Sequence, residues 1–229
     1  MAMRWEKLAF LHWPYPAEDI QSRLPAGLAV DRFDGQAWIG VVPFLMNRVR
    51  LRGLFPVPGT ARFPELNLRT YVTDGKKPGV WFFSLDAANW LAVRGARTLF
   101  HLPYFDARMR LSETHHDGVE YESCRTHRGS SRARFRARYR AVGSSGRAPL
   151  GSLERWMTER YCLYTADRID RIWRGEIDHP PWQLARGELE IDVNELCEGD
   201  GLPEAEGKPL VHVAEPLDVV AWPLERISP

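Results

Sequence analysis

Polar and apolar side chains alternate through residues 65–72 (ELNLRTYV), and the expectations for the rest of the chain build on this stretch. On a strand, successive side chains point to opposite faces. Glu65, Asn67, Arg69 and Tyr71 therefore share one side, and Leu66, Leu68, Thr70 and Val72 the other. A second apolar run, 79–85 (GVWFFSL), follows after the turn-rich 73–78 (TDGKKP), and the two read as a hairpin. If protein covers both faces, the polar groups of the first arm sit in a water-poor cavity, where they must pair with each other or with a ligand.

The same reading extends along the chain. Residues 5–13 predict a first strand, and 17–24 a short helix with Ile20 and Leu24 on one face, ended by Pro25. Residues 28–33 and 37–49, joined by Asp34-Gly35, predict a hairpin, with Pro43 marking a bulge or an edge. The Gly- and Pro-rich 51–60 predicts a loop packed by its own side chains, with a mobile lid as the alternative. A helix is expected over 87–100, weakened by Gly95, and a second over 153–161, capped by Ser152. Further strands are expected at 107–112, 132–142, 161–166, 170–177, 187–191 and 210–222.

About ten strands against two or three helices predict a β-dominated α+β fold. The sheet should be mainly antiparallel, and should close into a barrel or form two packed sheets. No repeat or convincing linker interrupts the pattern, so residues 1–229 are expected to form one domain.

Composition narrows the function classes. The 44% hydrophobic content, with 9 Trp and 10 Phe, can fill a substantial core. A formal net charge of +1 supplies no general attraction to nucleic acid or membrane, and no apolar run reaches the ~20 residues of a membrane-spanning helix. Cys124, Cys162 and Cys197 form no CxxC pair. Reduced thiols in a cytoplasm are expected, with neither a disulfide framework nor a zinc site. His115 and His116 sit in a polar turn without metal-ligand spacing, and no metal or cofactor is expected. Nothing in the chain specifies an oligomeric state.

The candidate chemistry gathers around the hairpin. Glu65 suits an acid or base, and Arg69 suits a carboxylate held by paired hydrogen bonds, with Asn67 between them. The bland alternative is an internal ion-pair network. Asp86, His101 and Tyr104 follow closely, the last two beside Pro103 at a helix-to-strand junction where either could transfer a proton. Trp13, Trp81, Phe83 and Trp90 are the expected apolar lining of a pocket for a small carbonyl- or carboxylate-bearing molecule. Catalysis by a lyase or isomerase and simple carriage or sensing of a ligand both fit these residues. Arg132, Arg134, Arg136, Arg138 and Arg140 alternate with small and aromatic residues. Such a stripe could follow a phosphate backbone, but a solvated face neutralised by acidic neighbours such as Glu120 and Glu122 is the stronger expectation.

Several blocks in order carry a resemblance: FLHWPY at 10–15, RLPAGLAVDRFDGQAWIGVVPF at 23–44, ELNLRTYV at 65–72, GVWFFSLDA at 79–87, ARTLFHLPY at 96–104 and HPPWQL at 179–184. Together they resemble the YqjF-like family of uncharacterised proteins over nearly the whole chain. That family is distantly similar to the acetoacetate decarboxylase-like superfamily. The similarity implies a closed or cone-shaped β-barrel with an internal ligand cavity and helices outside. Acetoacetate decarboxylase works through a lysine Schiff base. The LDA and LPY blocks place Tyr104 where that lysine would stand, and the substrate-binding arginine would fall near Trp13 or Pro14. One acidic position falls at Ala88, and Glu65 retains the other. A phenol forms no imine, and Lys76 and Lys77 lie in a turn, so decarboxylation by the imine route is not expected.

Overall fold

The computed structural model describes residues 1–50, 62–114 and 118–227. Strands β1 (Ala2–Glu6) and β2 (Leu8–Tyr15) lead into helix α1 (Ala17–Gln21), the two-residue β3 (Ala29–Val30) and the long β4 (Ala37–Arg50). β5 (Arg62–Thr73) and β6 (Pro78–Ala87) follow, then α2 (Trp90–Leu99). β7 (Tyr104–Glu113), β8 (Val119–Arg125) and β9 (Arg134–Gly146) precede α3 (Leu153–Thr158). β10 (Cys162–Ala166), β11 (Ile172–Asp178), β12 (Leu184–Asn194), α4 (Leu196–Gly199), β13 (Leu210–Ala214) and β14 (Leu217–Arg226) complete the order.

The strands form one sheet that closes in a ring, and it closes twice. One circuit runs β4, β1, β14, β11, β10, β6, β5 and back to β4. The other runs β4, β2, β13, β12, β9, β8, β7, β6, β5 and back. Both share the wall β4–β5–β6, so each face of that wall is covered by protein. Pairing is antiparallel throughout, except where β6 meets β10 and β7 in parallel.

The alternation in β5 matches this double cover. Leu66 and Leu68 pack with Leu11, Ile39, Val41, Tyr121 and Phe135 inside the second circuit. Tyr71, on the opposite face, packs with Phe10, Phe44 and Phe82 inside the first. Each fully buried leucine stabilises the fold by about 2 kcal/mol relative to an exposed one. The hairpin of β5 and β6 forms as expected, with Thr73 opposite Pro78 and Glu65 opposite Ala87.

Several expectations are corrected. The strand expected over 5–13 is two strands, because Lys7 takes a φ of 52° and breaks the run. β4 pairs with β2 as far as Val41 and with β1 from Leu45, and Pro43 falls in the interval between them, where a residue without an N–H is best tolerated. The hairpin expected across Asp34-Gly35 shrinks to one bridge between Phe33 and Gln36. β3 pairs with β5 instead, continued by Asp31 N–H donating to the Tyr71 carbonyl. The strand expected over 210–222 is also two, parted at Glu215 and Pro216. β8 and α4 were not expected at all. α2 begins at Trp90 rather than at 87, because β6 runs on to Ala87. Asn89 caps it by accepting from the Leu91 and Ala92 N–H groups at 3.1 Å, a contribution of ~1 kcal/mol. The loop at 51–60 and the His115-His116 pair lie outside the described residues. Among the described residues no helix is long and apolar enough to cross a membrane.

Candidate functional site

Inside the first circuit lies a cavity of about 390 Å3. Its walls are largely apolar, supplied by Trp5, Phe10, Val42, Phe44, Phe82 and the inner face of α2 among others. Into it β5 projects Glu65, Asn67 and Arg69. Their strand neighbours are Phe44 and Ala87 beside Glu65, Val42 and Leu85 beside Asn67, and Gly40 and Phe82 beside Arg69.

The polar groups fall into two separate clusters. In the first, the Tyr104 hydroxyl donates to both carboxyl oxygens of Glu65 at 3.1 Å, and the Asn67 side chain also bonds to Glu65. Burial pushes the Glu65 carboxyl up to about 8, against the opposing pull of those two hydrogen bonds, so it holds a proton at neutral pH. Burial, with Glu65 beside it, likewise raises the Tyr104 phenol well above its ordinary range. Asn67 Oδ1 is buried without a partner.

The second cluster surrounds Arg69. One Nη donates to the Met157 carbonyl at 3.3 Å and to the Tyr71 hydroxyl at 3.4 Å, and the guanidinium lies 5.2 Å from the Phe10 ring centre. Its Nε has no partner, and among the described residues no carboxylate pairs with it. The Tyr71 hydroxyl bonds to His12 Nε2, and burial, aided by the charge of Arg69, holds the His12 pKa well below its ordinary value. His12 is therefore neutral. Arg160 also lines the cavity. It is held by Asp31 at 2.6 Å, with one Nη left unpartnered.

Gly40 opens the space for this cluster, since a Cβ there would meet the His12 ring at 2.9 Å. Gly40→Ala should therefore destabilise the chain by about 1–3 kcal/mol, measured by chemical denaturation. A change below a few tenths would mean that the His12 ring yields freely.

The cavity brings together Glu65, Asn67, Arg69 and Tyr104, but not the other residues that the sequence singles out. Trp13 alternates away from Phe10 and His12 on β2, so it packs inside the second circuit, its indole N–H donating to the Gly207 carbonyl at 3.1 Å. Trp81 packs beside Val72 and Tyr164, and Phe83 against the second core. Their displacement follows from a β-bulge: Arg69 faces Phe82 while Leu68 faces Ser84, which leaves Phe83 as the extra residue. Val80 and Phe82 therefore line the cavity on one side of the bulge, and Leu85 on the other.

Asp86 points into the opposite side of the wall, where Arg125 Nε holds it at 2.8 Å and Arg125 also pairs with Asp200 at 2.6 Å. Burial pushes Asp86 up to about 7 despite that arginine. Trp90 is 62% exposed. His101, with a φ of 51°, faces a separate cleft shared with Arg97 and His127. It therefore has no access to Glu65. Phe10, Phe82 and Arg160 are cavity residues that sequence reasoning missed. The parity of β2 could have exposed Phe10, whereas nothing local marks Arg160.

Four of the five arginines of the stripe are paired with acidic side chains on the surface. Arg134 pairs with Glu195, Arg136 with Glu120, Glu122 and Asp192, Arg138 with Glu190, and Arg140 with Glu188. Among the described residues no group of three or more His, Cys, Asp or Glu side chains could hold a metal.

Comparison with known proteins places the chain. The model of DUF2071, an uncharacterized conserved protein family, matches residues 2–218. YqjF of Bacillus subtilis (strain 168), also uncharacterized, is 44% identical over 228 residues, covering 100% of this chain and 93% of that protein. The chain belongs to the DUF2071 family.

This DUF2071 protein is similar in fold to acetoacetate decarboxylase-like enzymes. The enduracididine biosynthesis enzyme MppR complexed with pyruvate matches with a TM-score of 0.69 at 12% identity, over 99% of this chain and 89% of that one. An acetoacetate decarboxylase-like enzyme from Sphingomonas wittichii RW1 matches at 0.66 and 15% identity, over 99% and 92%. The acetoacetate decarboxylase of Legionella pneumophila matches at 0.61 and 12%, over 100% and 88%. Within the shared fold, the lysines of this DUF2071 chain stand apart. Its four lysines are Lys7, Lys76, Lys77 and Lys208, and none lines the cavity. Lys7 pairs with Glu113 and Lys77 with Glu176, while Lys76 and Lys208 are exposed.

Proposed function

We propose that the cavity binds an organic acid carrying a carbonyl group and moves a proton at that carbonyl, as a lyase or isomerase would. The observation that carries this reading is Arg69, a buried guanidinium with no carboxylate partner among the described residues, in a cavity that also holds a protonated Glu65. A buried cation without a counter-ion is costly, and a ligand carboxylate supplies the missing charge through hydrogen bonds that arginine's fork suits. Glu65 donates its proton to the carbonyl oxygen or to an enolate carbon. The carboxylate it leaves takes the proton from the carbon beside that carbonyl as the C–H electron pair forms the enol double bond. The reverse sequence restores the ketone, so keto–enol exchange regenerates the Glu65 acid and balances without a co-reactant. Tyr104, hydrogen-bonded to Glu65, orients that carboxyl and supplies a second donor. The pyruvate held by the structurally similar MppR belongs to the same chemical class, a carboxylate with a carbonyl.

The test is exchange of the hydrogens beside the carbonyl for deuterium in heavy water, followed by NMR across a panel of oxo acids. Glu65→Gln and Tyr104→Phe should slow exchange by about 100-fold or more while affinity is kept. Arg69→Met should weaken binding at least ~30-fold. Binding without exchange above the solution rate would reject the enzyme and leave a carrier. Binding indifferent to Arg69 would reject the reading altogether.

A further inference from the structure

The two polar clusters are not adjacent. Glu65 and Arg69 are four residues apart on one strand, so their Cα atoms are about 13 Å apart, and strand side chains stand roughly perpendicular to the sheet. The Arg69 guanidinium donates to the Tyr71 hydroxyl, two residues further along the strand from Glu65, and to the Met157 carbonyl.

Between and around the clusters the wall is hydrocarbon: Phe10, Val42, Phe44, Phe82 and Leu85. A cavity of about 390 Å3 is larger than the six heavy atoms of pyruvate fill. The face of α2 turned to the cavity runs Leu91, Ala92, Gly95, Ala96 and Leu99, and its centre has no bulk. Gly95 is a poor residue for the middle of a helix, and a Cβ there would meet nothing within 4 Å, so no close packing requires the glycine.

We infer that the ligand carries its carboxylate and its carbonyl at the two ends of an apolar spacer, about five to eight bonds long at ~1.2 Å per bond, and that Gly95 leaves room for this spacer beside α2. This rests on the assignment of Arg69 to a carboxylate and of Glu65 to a carbonyl. It narrows the substrate class from oxo acids in general to medium-chain oxo acids whose two functional groups are far apart. The substrates are thus longer than pyruvate or acetoacetate.

The experiment is calorimetric titration of the full chain with pyruvate, 4-oxopentanoate, 7-oxooctanoate and 9-oxodecanoate. Each buried methylene should tighten binding about fourfold until the spacer fits, so 7-oxooctanoate should bind at least thirtyfold more tightly than pyruvate. Gly95→Leu should weaken 7-oxooctanoate about tenfold or more, and by a larger factor than it weakens pyruvate. Pyruvate binding as tightly as 7-oxooctanoate, with Arg69→Met still weakening it, would overturn the spacer and leave the role of Arg69 intact. Loss of the Arg69 dependence for every acid would overturn both. Unchanged 7-oxooctanoate binding in Gly95→Leu would overturn the placement of the spacer beside α2.

Discussion

Glu65→Gln should abolish a large part of the stability loss that the wild-type chain shows between pH 5 and pH 9. The folded chain keeps a proton on Glu65 up to about pH 8, whereas the unfolded chain releases it near the ordinary value of 4.5. The native state therefore binds the extra proton across that window. Its stability is fully present below pH 4.5 and falls as pH rises toward 8. A span of 3.5 pH units (8 minus 4.5) corresponds to a ceiling of about 5 kcal/mol at 1.36 kcal/mol per unit. Glutamine is nearly isosteric and can still accept from Tyr104, so the variant should be less sensitive to pH by up to that amount. Asp86 titrates in the same direction, toward about 7, so the measurement is a difference. Urea unfolding of both proteins at pH 5, 7 and 9 isolates the share of Glu65, and parallel stability curves would show that the Glu65 carboxyl is not protonated in the folded state.

Arg125→Ala should cost about 3–5 kcal/mol, because it strands the fully buried carboxylate of Asp86 and the partly buried one of Asp200. The guanidinium is 1% exposed, bonded to Asp86 at 2.8 Å and to Asp200 at 2.6 Å, and stacked 4.3 Å from the Phe105 ring centre. The Ser84 hydroxyl also donates to Asp200. Removing one member of a buried ion network leaves uncompensated charge, and that penalty exceeds what the intact pair contributes. For a chain of this size the loss corresponds to a fall in Tm of roughly 6–20 °C. Arg138→Ala is the control: its pairs with Glu190 and Asp192 lie on the surface, where such bridges contribute ~0–1 kcal/mol. Equal shifts in the two variants would mean that the Arg125 network is no more than a surface pair.

The contrast between these two arginines also marks how far the sequence could be read. The regular stripe at Arg132–Arg140 drew attention through its alternation, yet its acidic partners, apart from Glu120 and Glu122, come from β12 and the residues after it. Arg125 carries the more consequential charge and stands in a segment where no strand was expected. Ion partners far apart in sequence leave no local pattern. The same holds for the cavity. Glu65, Asn67 and Arg69 were legible because one strand places them on one face, and Tyr104 because it stands in a block shared with a known fold. Trp81 and Phe83 were assigned to the wrong face because a bulge at Phe83 is a property of pairing with β5. Trp90 was misplaced because helical spacing does not say which face of α2 is buried.

By itself the sequence determined the hairpin of β5 and β6, the β-dominated class and the polar face of β5, because strand parity and turn chemistry act over a few neighbouring residues. The tertiary structure alone decided that the sheet closes twice around a shared wall. It set Arg69 apart from Glu65, raised the Glu65 pKa, and turned Asp86, Trp13 and His101 away from the cavity. Those outcomes depend on register, on bulges and on burial by strands distant in the chain, and desolvation has no magnitude until those strands are in place.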